Sequence, residues 1–165
     1  MSAIALDAGR PSVINNIIDK FLDIFGTSTT TNFQLIRWAK SLKIKLFYYA
    51  MTDEIIKLPG KSNDFYAILN YNNSNQKGSH HVAFISKNDK RYYFDSFGFE
   101  PQKEIIKRYS PLRTSNYQVQ EYNTELCGQL SLLVIYLISR GFEYEDIILV
   151  LKNRLEKFHS PEKLV

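Results

Sequence analysis

Three features of the sequence predict an α+β domain. A mostly antiparallel sheet is expected to pack against a central buried helix carrying Cys127, with further helices flanking it. The first feature is LSLLVIYLI near the C-terminus, apolar on nearly every side, which suits a helix buried all round. The second is a central row of short aromatic-rich runs, LFYYA, FYAIL and RYYFDSFGF, with the composition of strands. The third is the helical spacing of Val13, Ile14, Ile17, Ile18, Phe21, Leu22 and Phe25 near the start. A chain of 165 residues with 44% hydrophobic content can bury one sizeable core. Residues 1–165 are therefore read as one domain, with 1–11 as a flexible N-terminal segment.

The elements follow in order. Pro11 suits a helix start and Gly26 a stop, so the first helix is expected from Ser12 to Phe25. TSTTTN forms a turn, with Asn32 or Thr31 as N-cap for FQLIRWAKSL. KLFYYA is a strand, MTDEIIKLPGKSND a long connection, and FYAILNY a strand ending in the turn-rich NNSNQKGS. HHVAFIS and RYYFDSF flank KNDK as a hairpin. EPQKEIIKRY suits a short helix and NYQVQEY a further strand. Two helices close the chain: CGQLSLLVIYLIS, stopped by Gly141, and YEDIILVLKNRLEKF.

The composition narrows the function. A net charge of +4 permits an acidic partner or weak DNA binding but demands neither, since the basic residues are scattered. The 11 Tyr and 11 Phe sit mostly in strand-like runs, where cross-strand packing accounts for them without a nucleic-acid platform. Cys127 is the only cysteine, which rules out an internal disulfide and a four-thiol zinc site and suits a reducing compartment. The opening MSAIALDAGRPSV has no secretory pattern, and no run approaches a membrane span. The reading is a soluble, non-secreted monomer that needs no metal or cofactor.

Cys127 stands where a polar segment becomes apolar, at the mouth of the central helix. A free cysteine is commonly a buried core residue; a catalytic one needs a helix N-terminus, a histidine, a group to orient that histidine, and oxyanion donors. His159 lies in the polar tail HSPEKLV and reads as solvated. His80 and His81 open a strand, and strand alternation points them to opposite faces, so only one is expected to meet the site. If the hairpin turns at Asn88-Asp89, Lys87 pairs with Lys90, Val82 with Asp95 and His80 with Phe97. His80 and Asp95 then share a face while His81 falls on the other, unless a bulge intervenes. A carboxylate beside one ring nitrogen fixes the tautomer and leaves the other nitrogen as base. Gln120, at the end of YQVQ, can send its amide toward the thiol, with Gln118 and Gln129 as competitors on composition alone.

Taken together and in this order, GSHHVAF, YYFDSFGF and VQEYNTELCG resemble motifs of the adenovirus-type maturation cysteine proteases, including relatives in virophages and related DNA elements. The H-x-x-A-F pattern matches His80 to Phe84, the acidic residue before S-F-G-F matches Asp95, and V-Q-x-x-N-[ST]-x-x-C-G matches Val119 to Gly128. The resemblance spans roughly residues 30–155 and implies a fold related to SUMO-specific proteases. It also implies that His80 is the base, Asp95 its orienting carboxylate, Gln120 the oxyanion donor and Cys127 the nucleophile. Two departures stand out: His81 occupies a position where many relatives have Trp, and no second cysteine is present to tether an activating peptide.

The resulting expectation is a viral cysteine endopeptidase that processes capsid precursor proteins during virion maturation. It would act in the virion and the infected cell, in cytoplasm or virus factory. The competing readings are a deconjugating protease for a ubiquitin-like modifier, an acyltransferase on the same scaffold, and a non-catalytic capsid-associated or DNA-binding protein.

Overall fold

The structure, a computed structural model, describes residues 3–72, 74 and 80–158. Helix α1 runs Ala3–Phe25 with Pro11 inside it, so helical geometry reaches back past the proline where the sequence suggested a flexible lead. Helix α2, Asn32–Ser41, begins with a reciprocal cap: Gln34 N–H donates to Thr31 Oγ1 at 3.1 Å, and Thr31 N–H donates to Gln34 Oε1 at 2.9 Å. Thr31, rather than Asn32, is thus the N-cap.

Five strands form one mixed sheet in sequence order: β1 Phe47–Met51, β2 Phe65–Asn70, β3 His81–Lys87, β4 Lys90–Phe94 and β5 Arg113–Thr114. The ladders β2–β3 and β3–β4 are antiparallel, while β1–β2 and β4–β5 are parallel. Lys87 pairs with Lys90 and Ala83 with Phe94, the register expected of a tight turn. Asn88 and Asp89 both take positive φ, 53° and 61°, a conformation these two residue types tolerate well and one that matches the strand twist.

Alternation along β3 divides the interior. Ala83 and Ile85 face the larger core with α1, α2, α4 (Cys127–Ser139) and α5 (Tyr144–Phe158), while Val82 and Phe84 face a smaller one with Ile105 and Tyr109 of α3 (Lys103–Tyr109). Helix α4 lies in the larger core, and of its residues only Tyr136 and Ser139 keep appreciable exposure. Truncating a fully buried leucine such as Leu133 would cost about 2–5 kcal/mol. Gly141, at φ 96°, ends the helix region as its composition suggested. Among the described residues no helix is long and apolar enough to cross a membrane.

The segment NYQVQEY does not form the expected strand; the short β5 upstream of it pairs with β4 instead. The reason is local. Val119 N–H and Gln120 N–H both donate to the Ser96 carbonyl, at 2.8 and 3.1 Å, and two successive amides on one acceptor break the alternation a ladder requires. Gly98 sits in the facing turn at φ 78°, and a Cβ there would stand 2.9 Å from the Tyr117 backbone carbon. Gly98→Ala is therefore expected to destabilise the protein by about 1–3 kcal/mol and to displace the segment carrying Gln120. Chemical denaturation checks the first effect, and unchanged stability would contradict the close packing of these two segments.

Candidate active site

Cys127 is the first residue of α4 and is buried, its thiol set against the end of β3 where the strand enters the sheet. The backbone N–H of His81 donates to Cys127 Sγ at 3.5 Å, and His81 Nδ1 lies 4.0 Å from the same sulfur. Placing the sulfur at a helix N-terminus adds the field of the aligned peptide dipoles, which favours an anion.

His80 lies just before β3 begins. Its Nε2 is 2.9 Å from Asp95 Oδ1, which leaves Nδ1 as the ring nitrogen available to the thiol. The ring is held on two sides, stacked on Phe97 at 4.8 Å and met edge-on by Tyr71 at 5.0 Å. Asp95, one residue beyond β4, is buried and fully engaged: Phe97 N–H donates to Oδ1 at 2.8 Å and the Tyr71 hydroxyl to Oδ2 at 2.7 Å.

Gln120 is also buried. The Ser96 hydroxyl donates to its Oε1 at 2.6 Å, which orients the amide, and Nε2 donates to the Thr124 carbonyl at 3.0 Å. One of the two amide hydrogens is thus used in holding the side chain. The competing glutamines are engaged elsewhere: Gln118 Nε2 donates to the Gln120 carbonyl at 2.9 Å and Gln129 Nε2 to the Ser28 carbonyl at 2.7 Å.

Electrostatics couple the thiol and the imidazole. Burial resists ionisation of Cys127, but the neighbouring His80 and His81 rings, the His81 backbone N–H and the charge on His80 outweigh it and lower the thiol to about 6. Burial likewise opposes the His80 cation, yet its interactions with Asp95 and Cys127 raise the imidazole to about 9. Between these values the resting pair is thiolate and imidazolium. A cleft of about 840 Å³ opens over them, bounded in part by Tyr49, Glu54, Phe97 and Tyr122. No group of acidic, histidine or cysteine side chains among the described residues could hold a metal ion.

Both histidines, rather than one, border the cleft with the thiol. His81 follows the alternation onto the α4 face, and its ring borders Cys127 from that side. His80 precedes the strand and is not bound by its pleat, and the sulfur sits at the sheet's end where both faces are within reach. His159 and most of the turn before His80 lie outside the described residues. Tyr71, Ser96, Tyr49 and Asn70 escaped the sequence reading. Tyr71 adjoins β2, and its N–H donates to the His80 carbonyl at 3.1 Å, but the connection between β2 and β3 is too long for that pairing to be counted from sequence.

This arrangement of sheet and buried helix matches a SUMO-protease-like protease fold. The solved structures similar to it include the selenomethionine form of the ASFV pS273R protease, 22% identical, covering 78% of this chain and 67% of that one, with a TM-score of 0.50. A second structure of the ASFV pS273R protease has the same identity and coverage and a TM-score of 0.47. No protein-family model matches the sequence, and no curated protein does.

Two titrations test the electrostatics. The pH profile of Cys127 alkylation by iodoacetamide should have its midpoint near 6, and the His80 ring should titrate near 9 by NMR. Asp95→Asn should move the His80 transition down and the thiol up, because the imidazolium loses the carboxylate that holds it. A thiol midpoint in the ordinary cysteine range, around 8.5, would contradict the ion pair.

Proposed function

We propose that this chain is a cysteine endopeptidase in which Cys127 is the nucleophile, His80 the acid and base, Asp95 the group that orients His80, and Gln120 an oxyanion donor. The observation that carries this reading is the 2.9 Å contact of His80 with Asp95, set beside a thiol whose pKa is lowered to about 6 at a helix N-terminus. A structural cysteine needs none of these partners.

The chemistry follows from the resting ion pair. The Cys127 thiolate attacks the scissile carbonyl, and the negative charge moves to the carbonyl oxygen. The second Nε2 hydrogen of Gln120 and the Cys127 backbone N–H, which as a first-turn amide has no intrahelical partner, are the donors proposed for that oxygen. The intermediate collapses, the C–N bond breaks, and the departing amine takes the proton from His80. Neutral His80 then removes a proton from water as the water attacks the thioester. Breaking the C–S bond returns the thiolate, with the imidazolium already restored, and releases the new carboxyl group. Throughout, Asp95 holds the ring through Nε2, so that the same Nδ1 serves both halves of the reaction.

The substrate we infer is a capsid precursor protein, processed during virion maturation. Sequence motifs support this, as does the likeness of the fold to a viral protease. Co-expression with the capsid precursor from the same genome, followed by mass measurement of the products, tests it. Specific fragments are expected with the unaltered protein and none with Cys127→Ala. Release of a ubiquitin-like modifier in place of precursor cleavage would favour the deconjugating reading.

Two further outcomes concern rates. Cys127→Ala should fold and show no turnover of a fluorogenic peptide, while Gln120→Ala should lower kcat about a hundredfold with little change in KM. The profile of kcat/KM against pH should be bell-shaped, its acid limb near 6 where the thiolate protonates and its alkaline limb near 9 where His80 loses the proton the leaving amine requires. Turnover by folded Cys127→Ala would sink the mechanism.

A further inference from the structure

The thiol has a second imidazole beside it that the mechanism above does not use. His81 is buried, projects from the α4 face of β3, and sits with Nδ1 4.0 Å from Cys127 Sγ, at the outer limit for a hydrogen bond to sulfur. Which ring nitrogen carries its proton decides what it can do there, and the surrounding hydrogen bonds fix that choice.

The chain of donors begins one strand away. Asn72 N–H donates to Asn70 Oδ1 at 2.9 Å, which turns the amide so that Nδ2 points to Tyr49 and His81. Asn70 Nδ2 lies 3.3 Å from the Tyr49 hydroxyl oxygen and 3.4 Å from His81 Nε2. The Asn70 amide nitrogen can only donate, which makes Nε2 an acceptor, and the Tyr49 hydroxyl, 2.9 Å away, then turns its own single hydrogen to it. Both polar neighbours of Nε2 are donors, so Nε2 is the acceptor and the proton of the neutral ring sits on Nδ1, facing the sulfur. Burial keeps the Tyr49 phenol above its ordinary range, against the pull of Asn70, so that it retains its hydrogen. The titratable groups facing His81 are Tyr49 from β1, Cys127 from α4 and His80 beside it, with Glu54 acting on Tyr49 from the 3-10 helix Thr52–Lys57.

We propose that His81 is a second catalytic imidazole, a neutral Nδ1–H donor to the Cys127 thiolate held in that tautomer by Tyr49 and Asn70. His80 stabilises the thiolate as a cation and exchanges protons with the reactants; His81 stabilises it as a fixed dipole and exchanges none. Together with the His81 backbone N–H, 3.5 Å from the sulfur, residue 81 presents two donors to one anion. Tyr49 and Asn70 are positioning residues, because neither contacts the sulfur and both act through the ring.

The inference rests on Cys127 as a reactive thiol, but its test needs no peptide substrate and so stands apart from the protease assay. The rate of alkylation by iodoacetamide would be followed against pH for the unaltered protein, His81→Phe and Tyr49→Phe, each checked for folding by circular dichroism. His81→Phe should move the thiol midpoint up by about one pH unit, roughly a tenfold loss of thiolate at a fixed pH below it. Tyr49→Phe should move it the same way by less, because the Asn70 amide still faces Nε2. Ring ¹⁵N spectra of the unaltered protein should show His81 protonated on Nδ1 and bare on Nε2 near neutral pH. An unchanged midpoint in folded His81→Phe would overturn the proposal, as would a His81 ring protonated on Nε2. Should His81→Phe fail to fold, the ¹⁵N spectrum of the unaltered protein still decides.

Discussion

The seating of α4 against β3 is the constraint on which the cleft depends, because a helix buried on nearly every side cannot slide or roll without opening voids in a close-packed interior. Its first residue is Cys127, so the position of the sulfur is inherited from the packing of Leu132, Leu133, Val134 and Ile135 further along. Gly128 shows how close that packing is at the helix mouth: a Cβ there would run into the Thr30 hydroxyl and press on Leu35 of α2. The thiol is thereby fixed by hydrophobic contacts far larger in sum than any polar interaction in the cleft.

Around that fixed sulfur the two faces of the sheet supply different kinds of support. On the α3 side, Tyr71 and the Phe97 N–H hold Asp95, and Asp95 holds His80. On the α4 side, Asn70 and Tyr49 hold His81. The carboxylate stands on one side only, and this difference makes one imidazole a cation while the other meets only neutral donors at Nε2. Strand alternation sets His81 on the α4 face, while His80, just before the strand, lies with Asp95 on the other, and both border the cleft.

Much of the fold was legible because it rests on local signals. The all-round apolar run marked α4, and Asn88-Asp89 marked a turn whose tightness set the β3–β4 register and with it the shared face of His80 and Asp95. The parallel pairing of β1 with β2 and the two-residue β5 left no comparable trace, since parallel neighbours are joined by long connections and so short a strand has no period. NYQVQEY has the composition of a strand, but the Ser96 carbonyl captures two of its amides, a tertiary contact no local pattern announces. Of the four side chains named from sequence, His80 and Cys127 line the cleft, Asp95 stands behind His80, and Gln120 is held by Ser96 next along the chain from Asp95. The supports, Tyr71 on Asp95, Ser96 on Gln120, and Tyr49 and Asn70 on His81, are brought near only by the three-dimensional register.

Asp95 and Ser96 are consecutive residues, and each grips a different member of the site: Asp95 the ring of His80, Ser96 the amide of Gln120 through its hydroxyl and the Gln120 backbone through its carbonyl. One rigid peptide plane therefore sets the spacing between the proposed acid–base group and the proposed oxyanion donor. The two partners are thus tied to adjacent residues of one segment, just beyond β4. The alignment of three chemical groups is thus reduced to the joining of two parts, the Asp95-Ser96 unit and the mouth of α4, and the packing of α4 on β3 joins them.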